Sequence, residues 1–315
     1  MPIYHSNAGV LGLGAALISG ATVILRKKFS ATNFWKDAIK YKCTAFSYVG
    51  EICRYLLNQP PSDLDRKHSI RLCVGNGMRE NVHREFSERF GVKGVEVYGA
   101  TEGNCVLVNS EGKYGACGYM PLLCRFVPIM PIFLIKVDND MNPIRDKNGF
   151  CIQCDIGEKG LLVGEIGTST KSAYSGYANN TEASKKKIIT DVFRKGQNAF
   201  NTGDVLMSDW NGYTYFVDRL GDTFRWRGEN VSTIEVENAL SARIDSKEVV
   251  VWGVEIPGQE GKAGMATLVT NDVDIKKLGE HIKADLPAYA KPLFIRITKE
   301  VEHTGNYKKL NNALF

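Results

Sequence analysis

Apolar and polar positions repeat with two different periods along the first hundred residues. Residues 34–41 show the spacing of an amphipathic helix, whereas the runs 44–49, 70–74 and 95–97 are short and apolar, as in strands. Further helices are predicted over 50–58 and 79–90, the first of them ending before two prolines that cannot continue it. Strands and helices that alternate in this way predict a parallel sheet with helices on its faces.

The pattern changes from about residue 115, where prolines and glycines become frequent between short apolar runs. This change predicts a β-rich subdomain, with strands at 161–166 and 213–217 and a hairpin turn at Asn211-Gly212. Ser232 followed by Glu235 predicts a capping box at the start of a helix that reaches Leu240. Strands at 249–254, 266–269 and 293–297 and a helix at 275–284 then complete a predicted α+β unit.

The segment from Ser6 to Leu25 carries no charge and approaches the length of a membrane-spanning helix. Four glycines interrupt it, and its last part, Ala21–Leu25, is short and partly β-branched. We therefore expect a buried helix followed by a parallel strand rather than a membrane span. Attachment to a membrane through a peripheral surface stays open.

Composition describes an ordinary globular protein. The chain has 315 residues, is 43% hydrophobic and 24% charged, and has a formal net charge of +5, which suits two domains or one large one. No nucleic-acid partner is expected, because a nucleic-acid binder concentrates more positive charge on one surface. The eight cysteines have no regular spacing and no secretory signal precedes them, so reduced thiols in an intracellular protein are expected.

The strongest candidate for chemistry follows the strand predicted at 95–97. Tyr98 and Gly99 lead into Thr101 and Glu102, where a hydroxyl and a carboxylate stand side by side. Such oxygen groups can hold a phosphate and Mg²⁺, and the aromatic ring can stack on a purine. The Gly75-Asn76-Gly77 stretch ends the preceding strand, and ligands of parallel sheets bind at this edge. As a bare motif, however, the segment is also compatible with an ordinary turn.

Three later clusters add to this picture. Asp204 follows Thr202-Gly203 and can accept hydrogen bonds from ribose hydroxyls, while Arg219 offers a guanidinium after Asp218. The 225–230 loop combines two arginines, a tryptophan and a glycine. Taken singly, each has a structural alternative: a turn carboxylate, a surface ion pair and a core aromatic residue.

In this order the motifs resemble the adenylate-forming superfamily of acyl-CoA synthetases, in its fatty acid transport protein or very-long-chain acyl-CoA synthetase branch. The resemblance spans nearly the whole chain, and its most distinctive stretch runs from Gly221 to Ser232. It implies an α/β fold in which residues 1–218 form part of the large AMP-binding domain, with parallel sheet layers and a β-rich subdomain. Residues 219–315 would form the small, mobile α+β C-terminal domain.

The resemblance implies a long-chain-fatty-acid–CoA ligase. A long or very long fatty acid attacks the α-phosphate of ATP in the presence of Mg²⁺, and coenzyme A then displaces AMP from the acyl-adenylate. The full-length protein would be associated with a membrane of the endoplasmic reticulum, the cell surface or the peroxisome, in connection with fatty acid uptake. A second hypothesis is a non-catalytic transport or regulatory protein that binds nucleotide and fatty acid.

The resemblance also implies roles for individual residues of the nucleotide site. Glu102 would bind the metal and Thr101 a phosphate oxygen, and Tyr98 would stack on adenine beside the glycine loop. Asp204 would hold the ribose with the help of Arg219. The residues implied in catalysis or in cofactor binding at this site are Gly75, Asn76, Gly77, Tyr98, Gly99, Thr101, Glu102, Asp204 and Arg219.

Further implied roles lie outside this cluster. Gly221 would be the hinge of the small domain, Arg225 and Gly228 would belong to the cofactor-binding loop, and Gly228 would approach the pantetheine arm of coenzyme A. His5 would lie near the acyl pocket.

Two departures from the family pattern matter. No Thr/Ser/Gly-rich phosphate loop ending in lysine is found, so the chain is expected to be N-terminally truncated and to form little acyl-adenylate by itself. The family's C-terminal lysine is replaced by Asn306, which leaves Lys308 as the candidate catalytic cation.

Overall fold

The computed structural model describes residues 3–100, 103–125, 130–138, 141–167, 173–176, 181–219, 223–227, 229–244, 248–257, 259, 261–270 and 273–299. Five residues with predicted roles lie outside these ranges, and their roles remain predictions. They are Thr101, Glu102, Gly221, Gly228 and Lys308.

The first sheet carries the predicted nucleotide edge. Its four strands lie in sequence order, with the first three parallel and the fourth antiparallel. The strands are β1 (Ala45–Val49), β2 (Leu72–Asn76), β3 (Lys93–Gly99) and β4 (Val106–Asn109). Helices α1 (Ala15–Ser19) and α2 (Ala31–Lys40) precede β1, and α3 (Gly50–Leu57) and α4 (Glu80–Phe90) connect β1 to β2 and β2 to β3 in the predicted alternation. The predicted parallel sheet is therefore confirmed.

Aromatic side chains fill the core between this sheet and its helices. Trp35 of α2 and Phe86 and Phe90 of α4 are buried together with Tyr48 of β1. The amphipathic pattern that predicted these helices is explained by this burial, since one stripe of each helix faces the sheet.

The second sheet confirms the predicted β-rich subdomain. Its strands are ordered β5-β10-β9-β7-β6, with β8 paired to β9, and all pairings are antiparallel. A hairpin loop of residues 209–212 joins β9 to β10 at the position of the predicted Asn211-Gly212 turn, and within it Gly212 has a positive φ. The strands are β5 (Ala116–Tyr119), β6 (Ile132–Ile135), β7 (Lys159–Glu165), β8 (Ile188–Ile189), β9 (Ala199–Ser208) and β10 (Tyr213–Arg219), with α5 (Thr181–Lys186) between β7 and β8.

The remaining elements share a hydrophobic core of their own, and we call residues 224–299 the C-terminal unit. The hairpin of β11 (Phe224–Trp226) and β12 (Glu229–Val231) leads to α6 (Thr233–Ser241), whose N-cap Ser232 accepts a hydrogen bond from the Glu235 N–H. A mixed three-stranded sheet follows, with α7 packed against α6. Its elements are β13 (Glu248–Glu255), β14 (Lys262–Val269), α7 (Ile275–Asp285) and β15 (Phe294–Thr298).

The expectation for Ser6 to Leu25 is only partly correct. A π-helical segment, Asn7–Gly14, continues as α1, but of its residues only Asn7 is buried. Residues 21–26 form no strand, and Leu25 is 63% exposed. A β-branched run becomes a strand only when a neighbouring strand satisfies its backbone, and among the described strands β1 pairs only with β2.

Across the parts of the chain that the structure describes, no helix is both long enough and apolar enough to span a bilayer.

Candidate functional site at the ends of β2 and β3

Tyr98, Asp204 and Arg219 meet at the carboxyl end of β3. The Tyr98 hydroxyl donates to Asp204 Oδ2 at 2.5 Å, and Arg219 Nε donates to Asp204 Oδ1 at 2.7 Å. Asp204 is 3% exposed, whereas half of the Arg219 side chain is exposed. The structure thus joins three predicted site residues that are far apart in sequence, with the cation on the solvent side.

A β-bulge explains how Asp204 reaches this position. The sequence prediction placed Asp204 after a glycine turn, but it lies within β9, where residues 202–204 stand opposite Leu162 alone. Gly203 has a φ of +77°, which a residue with a side chain rarely adopts. The Thr202 hydroxyl donates to the Leu162 carbonyl and accepts from the Asp204 N–H, so the bulge is closed locally. Bulges re-aim side chains in this way.

The position of Arg219 in β10 brings its guanidinium to Asp204. Arg219 lies directly opposite Asp204 in the β9–β10 pairing, so the guanidinium and the carboxylate form a cross-strand pair. Burial and then the charge of Asp204 raise the pKa of Tyr98, so its hydroxyl remains a neutral donor. The carboxylate oxygens retain lone pairs, because each oxygen can accept two hydrogen bonds.

The end of β2 is held by a residue that sequence reasoning missed. Glu96 of β3 accepts the Gly77 N–H at 3.0 Å and the Met78 N–H at 3.1 Å, and it also accepts the Tyr48 hydroxyl. These bonds fix the backbone that leaves the strand. The sequence predicted a strand that ends at residue 74 and a glycine loop after it. In the structure Gly75 and Asn76 are instead the last two residues of β2.

The environment of Glu96 is almost completely dry, since the residue is only 3% exposed. Burial raises the pKa of its carboxyl to about 7, although the three donors favour the ionised form. The sequence signal was present in Val95-Glu96-Val97, because strands of a parallel sheet are buried on both faces. A carboxylate in such a run must have partners.

His5 and the glycine stretch are linked through Asn7. The backbone N–H of Asn7 donates to His5 Nδ1 at 3.2 Å, and the side-chain amide of Asn7 donates to Asn76 Oδ1 at 2.8 Å. The same amide donates to the Tyr48 carbonyl at 2.7 Å. The predicted acyl-pocket residue and the predicted nucleotide loop are therefore neighbours, and Asn7 is a second positioning residue that sequence reasoning did not single out.

The cofactor-binding loop predicted from residue 225 onward is only partly described. Arg225 is exposed on β11, and Trp226 beside it is 5% exposed in the core of the C-terminal unit. The structural alternative for Trp226, a core residue, is thus correct. Gly99 ends β3, and a Cβ added there would lie at ordinary contact distance from its neighbours.

Two family models match the chain. The AMP-binding enzyme model matches residues 1–149, and the model of the AMP-binding enzyme C-terminal domain matches residues 235–308. Together they include the ends of β2 and β3 and most of the C-terminal unit. Asp204 and Arg219 lie between the two matched ranges.

Curated relatives share the sequence over almost its whole length. Long-chain fatty acid transport protein 1 of Rattus norvegicus is 49% identical over 313 residues, which is 98% of this chain and 48% of that protein. Long-chain fatty acid transport protein 6 of Homo sapiens is 42% identical over 318 residues, with 100% and 51% covered. The chain spans about half the length of the curated relatives it matches.

Solved structures share the fold. An ATP-bound MatB from Rhodopseudomonas palustris matches with a TM-score of 0.79 at 20% identity, covering 100% of this chain and 58% of that one. The AMP complex of O-succinylbenzoate coenzyme A synthetase from Bacillus subtilis matches with a TM-score of 0.70 at 24% identity, with 100% and 59% covered. The described elements therefore have the fold of adenylate-forming enzymes.

Proposed function

The chain belongs to the AMP-binding enzyme family, in the branch of the fatty acid transport proteins, and from this premise we propose that it is the nucleotide-binding part of a long-chain-fatty-acid–CoA ligase. Its substrates would be ATP, a long or very long fatty acid and coenzyme A. The acid would be activated as an acyl-adenylate and then transferred to the thiol. We also propose that the domain boundary lies between residues 218 and 219, and that the full-length protein acts at a membrane.

The observation that carries the proposal is the Tyr98–Asp204–Arg219 group. A buried carboxylate with free lone pairs, held by a neutral hydroxyl and a half-exposed guanidinium, is suited to accept both hydroxyls of a ribose. It stands at the carboxyl end of a parallel sheet, where ligands of such folds bind.

The chemistry that this arrangement supports is one of positioning and charge. A fatty acid carboxylate and a nucleotide phosphate repel each other, so catalysis requires fixed donors and cations near the developing charge. Asp204 would orient the ribose, and Arg219 would supply positive charge on the solvent side. The Glu102 carboxylate is the proposed ligand of Mg²⁺. Within the described residues, no group of three or more His, Cys, Asp or Glu side chains could hold a metal ion.

Calorimetric titration with AMP tests the binding step. We expect the wild-type chain to bind AMP and Arg219→Gln to weaken the affinity about tenfold, which corresponds to about 1.4 kcal/mol. Arg243→Gln is the matched control, because Arg243 pairs with Asp285 within the C-terminal unit. No binding by the wild type, or equal losses in the two variants, would overturn the proposed site.

Turnover is measured separately as pyrophosphate release from ATP and oleate. The chain spans about half the length of its curated relatives, and for this part we expect AMP binding with little pyrophosphate release; robust release would contradict that expectation. Binding of both AMP and oleate without turnover, even when the remaining half of a relative is supplied, would instead favour the non-catalytic transport hypothesis.

A further inference from the structure

The C-terminal unit meets the first sheet through charged side chains. Arg79, at the N-cap of α4, donates through Nη2 to a carboxylate oxygen of Glu237 on α6. Glu237 is 7% exposed, and its other oxygen accepts the Val251 N–H of β13 at 3.0 Å. The carboxylate is therefore fixed on its own side and faces a guanidinium from the other side.

A second pair repeats this arrangement at the end of α3. Arg54 Nη2 lies 3.4 Å from Glu248 Oε2 and 2.5 Å from Glu51 Oε2, so it bridges the start of β13 and its own helix. The Glu248 side chain is only 5% exposed. Each pair thus joins an arginine from the helices beside the first sheet to a buried glutamate of the C-terminal unit.

The space between the two pairs is polar. A crevice of about 100 Å³ is lined by Gly77, Arg79, Arg54, Glu51 and Glu248, among others. Polar contacts of this kind resemble transient interfaces, which separate at low cost because their groups can be hydrated again. The boundary is therefore suited to open and close.

The charged pairs restrict which orientations of the C-terminal unit are stable. Separating a buried carboxylate from its cation leaves its charge uncompensated, so an orientation that buries Glu237 or Glu248 away from its arginine is disfavoured. Complementary charges fix register and orientation more than they add affinity. Two pairs at separate points define an orientation better than one, because a single pair permits rotation about itself.

The position of Arg79 depends on the predicted nucleotide loop. Arg79 directly follows Gly77 and Met78, whose N–H groups are both held by Glu96. A shift of this loop therefore moves the guanidinium that faces Glu237.

We propose that Arg79–Glu237 and Arg54–Glu248 form a two-point latch, which selects one orientation of the C-terminal unit and which the backbone after β2, at Gly77 and Met78, positions through Arg79. The proposal concerns the orientation of two parts of one chain. It is independent of the acid that the protein activates.

Electron–electron distance measurement tests the latch directly. Spin labels are placed on encoded non-natural residues at the exposed positions Lys36 and Lys276, because the chain already contains eight cysteines. We expect one main distance in the wild type. Combining Arg79→Gln with Arg54→Gln should lower the ratio of this distance to all others about tenfold, within the usual range of coupling between sites.

Matched variants separate the latch from general damage. Arg84→Gln removes an exposed pair with Glu80 on the same helix and should leave the distances unchanged. Glu237→Gln keeps an oxygen for the Val251 N–H and should release the unit. Two results would overturn the proposal. One is an unchanged spin-label distance in both the folded Glu237→Gln variant and the double arginine variant. The other is a change in Arg84→Gln as large as the change in those variants.

Discussion

The ends of β2 and β3 are each held by one buried carboxylate, but the two carboxylates have different partners. Glu96 accepts two backbone N–H groups and a tyrosine hydroxyl. Asp204 accepts a tyrosine hydroxyl and a guanidinium that is half exposed. One carboxylate therefore fixes backbone, whereas the other connects the buried site to the solvent through a charged side chain.

This difference separates a supporting position from the position at which we propose that a ligand binds. The partners of Glu96 are all internal, so a ligand would reach the loop that it holds rather than the carboxylate itself. Asp204 has a half-exposed partner and spare lone pairs, which is why we propose it as the acceptor of ligand hydroxyls. We expect substitutions at the β2 end to act mainly on stability, and those at the β3 end to act on nucleotide affinity as well.

The largest expected effect is steric and affects the β2 end alone. A Cβ at Gly75 would lie 2.0 Å from the Tyr48 carbonyl oxygen, whereas a Cβ at Gly99 would lie 3.5 Å from its nearest neighbour. Overpacking against backbone cannot be relieved by a rotamer change, so Gly75→Ala should destabilise the chain by about 3 kcal/mol or more. Urea unfolding measures this change. Gly99→Ala is the control and should cost less than about 1 kcal/mol; equal losses would contradict the comparison.

The next effect is a pH dependence that belongs to Glu96. Its pKa is about 7 in the folded protein against an ordinary value of 4.5, so the folded chain binds this proton more tightly than the unfolded chain. The resulting stability is complete below about pH 4.5 and is lost as the pH rises through 7, by about 3 kcal/mol in total. Glu96→Gln cannot titrate at this position.

The measurement is the free energy of unfolding of both proteins between pH 4.5 and 8. Other carboxyl groups titrate in both, so the difference between the two proteins isolates Glu96. This difference should move in favour of Glu96→Gln as the pH rises. A constant difference would show that Glu96 titrates normally.

The smallest expected effect is the loss of one hydroxyl at the β3 end. Tyr98→Phe removes a donor from the buried Asp204 carboxylate and should destabilise the protein by about 2 kcal/mol, since hydrogen bonds to charged groups contribute about 1.5–3 kcal/mol. Tyr215→Phe is matched to it, because the Tyr215 hydroxyl donates to the Asp209 carboxylate on a less buried hairpin. Thermal unfolding should show a smaller loss there, and a larger one would reverse our ranking of the two sites.

Much of the fold was accessible from the sequence because it depends on local patterns. The alternation of strands and helices, the Asn211-Gly212 turn and the Ser232 cap are set by neighbouring residues, and the structure confirms them. The strand prediction for Ala21–Leu25 was wrong because it also relied on the local pattern alone. Its local pattern predicts a strand, but a strand also requires a partner that the local sequence does not contain.

The sequence by itself determined which chemical groups stand at the ends of the strands, because strand ends and motifs are local. Only the tertiary structure decided which of those groups meet. Asp204 reaches Tyr98 because a bulge turns it inward, Glu96 holds a loop nineteen positions upstream, and Arg79 faces Glu237 across 158 positions. The physical reason is that a buried charge must find its partner in space, and that partner is set by packing rather than by the neighbouring sequence.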